Sequence, residues 1–114
     1  MTFQSDRREQ LIKNLVSNAI AIISNQIALP LGVQKMKKIA YWIEQIEPLQ
    51  HDFQVFYSYD KSTNDLPLGT ERLNWNIEKL IELEVGIEKA DMKYKYEILR
   101  NCKNIIDKYE KNKT

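Results

Sequence analysis

Few side chains in this sequence could do chemistry. One cysteine, Cys102, and one histidine, His51, are its whole supply of thiol and imidazole. A thiolate nucleophile needs a base within hydrogen-bond reach, and the two stand far apart in the chain. Cys102 falls instead on an apolar helical repeat with Ile98 and Ile105, which predicts a buried structural thiol. His51 follows Pro48 in an acidic neighbourhood and reads as a helix cap before it reads as a general base. With so few nitrogen and sulfur ligands, a metal site would need carboxylates, and no loop is spaced for one. The G-x-G-x-x-G, Walker A, H-E-x-x-H and paired C-x-x-C patterns are all missing. The residues predict a protein that is not an enzyme and takes no cofactor and no metal.

Recognition is better supplied. A helix starting at Thr70 would turn about 100° per residue, bringing Glu71, Trp75, Glu78 and Glu82 into one strip. Its opposite face would hold Leu73, Ile77, Leu80 and Ile81. An aromatic anchor rimmed by acids suits a basic protein partner, and Asp60 and Asp65 precede the strip in the chain. The alternative is that the protein's own 58–69 loop covers Trp75. Arg72 could bind an anion, or tie that loop down through Asp60 or Asp65. A second cluster sets Lys35, Lys37 and Lys38 before Tyr41 and Trp42. Spacings of four let Lys37 lie over Tyr41 and Lys38 over Trp42. Basic residues interleaved with aromatics can bind nucleic acid, whereas a solvated face with an inward Trp needs no ligand at all.

The elements that position these groups follow from periodicity. Ser5 is placed to cap a first helix over about 5–26, with Asp6 in its first turn. Its apolar positions are Leu11, Ile12, Leu15, Val16, Ala19, Ile20 and Ile23. Pro30 fits the first turn of a second helix, whose stripe is Met36, Ile39, Ile43 and Ile46 and which Pro48 ends. The run Phe53, Val55, Phe56, Tyr57 and Tyr59 is a short aromatic element, helical or extended. A polar loop leads to Thr70, and Gly86 reads as a break before the last helix. That helix carries Ile87, Ala90, Tyr94, Ile98, Cys102, Ile105 and Tyr109 on one side and alternating charge on the other, with residues 110–114 frayed. The expected fold is all-α: an antiparallel bundle of about four long helices, a short aromatic element, and a long loop near 58–69.

Bulk properties agree. The 114 residues make one domain, and three Gly and three Pro leave little room for the turns of a β-sandwich. Seventeen basic and sixteen acidic residues give a net charge of +1, so no global field selects nucleic acid or membrane. The charge is uneven: both ends are basic, and residues 60–91 carry eight acids against four bases. Residues 14–34 lack charge but contain too many Asn, Ser and Gln for a membrane span. With no apolar leader behind the polar N-terminus, the expected compartment is the cytoplasm.

The Leu-Pro-Leu-Gly run occurs twice, at 29–32 and 66–69, each time ahead of an expected helix. The stripes that follow fall out of phase, which argues against a duplicated unit. Around the second run, Leu66, Pro67, Gly69, Arg72 and Trp75, with Cys102, Ile105 and Ile106 later, the sequence resembles small all-helical bacterial domains of uncharacterised function. These include immunity proteins of toxin–immunity systems, such as those of contact-dependent growth inhibition. The resemblance implies a single helical domain without catalytic machinery whose partner is a cognate protein toxin, a nuclease among the candidates. On that reading Asp60, Asp65, Glu71, Trp75, Glu78 and Glu82 form the contact surface. The alternative is a nucleic-acid-binding or regulatory module using the Lys35/Lys37/Lys38 face.

Overall fold

A computed structural model describes residues 3–49, 51–63 and 73–110. They form four helices: α1 (Phe3–Ile23), α2 (Leu29–Glu44), α3 (Gln54–Thr63) and α4 (Ile77–Glu110). No strand occurs among the described residues. α1 packs on α2 and on α4, α2 on α3, and α3 on α4, so the contacts close a ring around one core.

The first helix ends by a signal the sequence carries openly. Asn25 adopts the left-handed backbone region, φ 62°. Its N–H donates to Ile22 O and the Gln26 N–H to Ala21 O, the paired bonds that satisfy the last carbonyls of a helix. α1 therefore stops at Ile23, three residues before the expected 26. Pro30 sits in the first turn of α2 as expected. Gly32, one residue on from Leu31, is buried where α1 and α2 cross. A Cβ there would lie 2.6 Å from Ile22 Cγ1, and the Gly32 carbonyl accepts a 3.0 Å bond from buried Asn18 Nδ2. The first Leu-Pro-Leu-Gly run thus starts a helix and lets another approach it closely. The second lies outside the described residues.

The core draws Leu15, Ala19 and Ile22 from α1, Val33, Met36, Ala40 and Ile43 from α2, Phe56 and Tyr59 from α3, and Ile98, Cys102 and Ile105 from α4. Ile20 and Ile23, expected on the apolar face of α1, are exposed, because Asn18 and Ile22 take the inward positions. Asn18 donates its amide hydrogen to Gly32 there, which satisfies its Nδ2, while its Oδ1 is buried without a hydrogen-bond partner.

Other expected boundaries are corrected too: α1 begins at Phe3, so Ser5 lies within the helix and does not precede it, and α2 ends at Glu44, before Ile46 and Pro48. The aromatic run is itself a full helix, α3, and it continues through Thr63. Phe53, Phe56, Tyr59 and Thr63 recur every three or four residues and are all buried, the helical rather than the strand period. Asp52 helps to start it by accepting the Gln54 N–H at 2.8 Å. Residues 58–63 of the expected loop are therefore helical, and the rest of that loop lies outside the described residues. The expected third and fourth helices are one, because Gly86 does not interrupt α4. A helix-interior glycine costs about 1 kcal/mol relative to alanine, too little to break a helix of good formers.

Candidate interaction surface

α4 is the longest element by far. At 1.5 Å per residue its 34 residues run about 51 Å, against about 32 Å for α1 and about 15 Å for α3. Its neighbours are too short to cover all of it. The core takes Ala90, Ile98, Cys102 and Ile105, all from the C-terminal part. None of residues 77–88 belongs to that cluster, although Leu83 is buried and Leu80 and Ile87 are half-buried.

The start of α4 is set by Asn76, not Thr70. Asn76 Oδ1 accepts the Lys79 N–H at 2.8 Å and the Asn76 carbonyl accepts the Leu80 N–H at 3.0 Å, the arrangement of an N-cap asparagine. Residues 73–74 form a short 3₁₀ turn. Trp75 thus precedes the cap and, contrary to expectation, does not share a helix with Glu78 and Glu82. Glu78 and Glu82 do share an exposed face of α4, and Lys79 meets Glu82 at 3.6 Å in a solvated pair. Trp75 is 39% exposed. Asp65, Glu71 and Arg72 lie outside the described residues. Asp60 belongs elsewhere: its carboxylate accepts from Lys37 Nζ at 2.5 Å, tying α3 to α2.

The apolar face expected to be core is the largest correction. Leu73 is 84% exposed, Ile77 74% and Ile81 57%, while Leu80 is half-buried. This part of α4 carries two apolar faces: the covered one holds Leu83, which is buried, and Leu80, and the other holds Ile77 and Ile81. Further along the same side of α4, Met92 is 88% exposed and Tyr96 77%. Exposed apolar residues in such a row make this side of α4 the candidate interaction surface.

The three-lysine cluster is divided. Lys37 pairs with Asp60 and lies 5.5 Å from the Tyr57 ring centroid, not over Tyr41. Lys35 and Lys38 line a groove of about 360 Å³ with Asn14, Ser17, Asn18 and Ile39. Trp42 is exposed rather than inward, and its ring faces the Arg7 guanidinium at 5.0 Å and the edge of Tyr41 at 5.2 Å.

The candidate chemical groups are placed as structural ones. Cys102 is fully buried, and burial pushes its thiol up to about 12; a thiol so held is not a nucleophile near neutrality. His51 stands beside Phe53 and Tyr109, with ring centroids at 6.3 and 5.7 Å. Its Nε2 is buried without a hydrogen-bond partner, and burial, then the nearby Lys108 charge, holds its pKa below the ordinary value. It caps no helix. Tyr59 donates a 2.6 Å bond to Asp91, and burial with that bond raises its pKa. Among the described residues no three His, Cys, Asp or Glu side chains gather as metal ligands, and no helix is long and apolar enough to cross a membrane.

No protein-family model, no curated protein and no solved structure matches the chain.

Proposed function

We propose that this chain is a non-catalytic protein-binding domain of the immunity-protein kind, which neutralises a cognate toxin domain through the projecting half of α4 and the turn before it. The observation that carries this reading is the exposed row of Leu73, Ile77 and Ile81 beside the acids Glu78 and Glu82. The apolar row supplies contact area. The acids orient and speed capture of a basic partner such as a nuclease. Trp75 serves as an anchor at the edge of this surface, and Glu71 and Asp65 extend the acidic run along the chain. Asp60 holds α3 on α2 through Lys37 and contributes little charge to the contact.

Co-expression with the product of the open reading frame immediately upstream tests the reading. Rescue of growth from a toxic product, lost on combining Glu78→Lys with Glu82→Lys at unchanged melting temperature, is the expected result. A harmless upstream product, or toxicity that this chain leaves untouched, refutes it. The alternative, a nucleic-acid-binding module, is disfavoured because its three lysines do not share a face. It predicts retention on heparin that salt abolishes.

A further inference from the structure

We infer that in the free protein the projecting half of α4 is covered by a second copy of the chain, the two α4 helices lying antiparallel about a two-fold axis near residues 88 and 89. The inference shares with the proposed function only the premise that this half of α4 is a docking surface.

Three features of α4 point to it. The first is a second apolar face. At about 100° per residue, Ile77, Ile81, Val85, Met92 and Tyr96 fall within an arc of about 100°, roughly 130° from the face that Ala90, Ile98, Cys102 and Ile105 bury. All five are exposed. Over 77–99 the stripe is about 35 Å long, and among the described residues no helix of the same chain covers it.

The second feature is its symmetry. When two such helices run antiparallel, residue i of one sits level with residue 177 − i of the other. Ile81 then meets Tyr96 of the second copy, and Val85 meets its Met92. Ile77 and Leu73 of one copy fall toward residues 99–104 of the other. There α4 and α1 leave a shallow groove of about 460 Å³ lined by Ile23, Tyr96, Leu99 and Lys103. A second groove of about 520 Å³, lined by Met92, Tyr96 and Leu99, receives Ile81 and Val85. The most exposed apolar side chains at one end thus meet the grooves at the other, the self-complementarity that an isologous interface requires.

The third feature is charge. Residues 77–88 carry four acids and one base, net −3; residues 89–103 carry five bases and two acids, net +3. Antiparallel pairing sets the acidic half of each copy beside the basic half of the other. On one flank of the stripe Glu78 comes level with Arg100 of the second copy and Glu82 with its Lys93, within one or two residues. Parallel pairing would set acids against acids along the whole length, which fixes the direction. One contact is unfavourable: Glu88 lies on the arc beside the two-fold, close to Glu88 of the second copy.

Sedimentation equilibrium on the intact chain tests the pairing. The expected mass is twice 13.5 kDa, falling toward the monomer on dilution. Ile81→Asp, at a position exposed in the monomer, abolishes the dimer while leaving the helical signal and melting of the dilute protein unchanged. Glu78→Lys with Glu82→Lys weakens association by on the order of tenfold, as does Lys93→Glu with Arg100→Glu. Mixing these two charge-reversed proteins restores a dimer, because each supplies the charges the other lacks. Glu88→Gln strengthens association by roughly two- to fivefold, although it removes an acid. A mass of 13.5 kDa up to about 1 mM, or a dimer indifferent to Ile81→Asp and not restored by mixing, overturns the inference. A monomer that still neutralises its toxin would refute the pairing alone and leave the proposed function standing.

Discussion

The two halves of α4 have similar sequences and different fates. From Ala90 to Tyr109 an aliphatic and aromatic stripe lies against α1 and α3 and forms part of the core. From Ile77 to Val85 a stripe of the same residue types and spacing faces outward. Helical periodicity describes both equally well, so periodicity is not what separates them. Face is: Ile77, Ile81 and Val85 lie about 130° around the helix from the core-facing positions, whereas Leu83, on the core-facing side of the same half, is buried. Leu83 is buried in the N-terminal half as well, and from residue 90 onward Ala90 joins the main core and Asp91 accepts the Tyr59 hydroxyl. A buried apolar stripe stabilises the fold, and an uncovered one is free to bind.

The contrast is open to direct attack. Ile98→Ala should cost about 2–5 kcal/mol, because Ile98 is fully buried and its loss leaves a cavity. Ile81→Ala should cost under about 0.5 kcal/mol in the monomer. Denaturant unfolding of the two variants in dilute protein measures the difference, and equal losses would erase the contrast. Gly32→Ala should destabilise by about 1–3 kcal/mol, since its new Cβ would press on Ile22. A melting temperature at or above the wild type would deny the close crossing of α1 and α2. Tyr59→Phe, which strands Asp91 at the edge of the supported half, should cost about 1.5 kcal/mol. A smaller effect concerns pH. The folded state lowers the His51 pKa, so below about 6.5 the unfolded chain binds its proton more readily than the folded one. Stability from this group is therefore complete at neutral pH and falls as the pH drops through that value. His51→Phe should flatten the decline between pH 7 and 5, and an unchanged slope would remove His51 as its source.

Much of the fold is legible in the residues, and the misses have physical causes. The helical class, the start of α2 at Pro30 and the buried Cys102 follow from local pattern. The end of α1 was open to reading as well, since Asn25 is a known helix-ending residue. The helical state of 54–63 was carried by the three- and four-residue spacing of its aromatics, which a window ending at Tyr59 leaves ambiguous. Gly86 misleads because a glycine that ends a helix and one that merely weakens it look alike without their neighbours. Of the proposed contact surface, Glu78 and Glu82 were readable as a shared helical face. Trp75 was placed wrongly because Asn76, an equally good cap, was passed over for Thr70. The Asp60–Lys37 pair was not readable, because the two residues lie on different helices and no local pattern announces a long-range ion pair. Ile77 and Ile81 are exposed because Leu80 and Leu83 take the core-facing side of α4, a choice between two apolar faces that the local spacing does not make.

Amide hydrogen exchange along α4 in dilute, partner-free protein tests most directly whether its two halves differ in support. Fast exchange over residues 78–88, beside strong protection over 98–106, is the predicted result, with the first segment gaining protection when concentration or a bound partner covers it. Equal protection of both segments in the dilute chain would mean that the N-terminal half is held by its own fold, and would contradict its assignment as a docking surface.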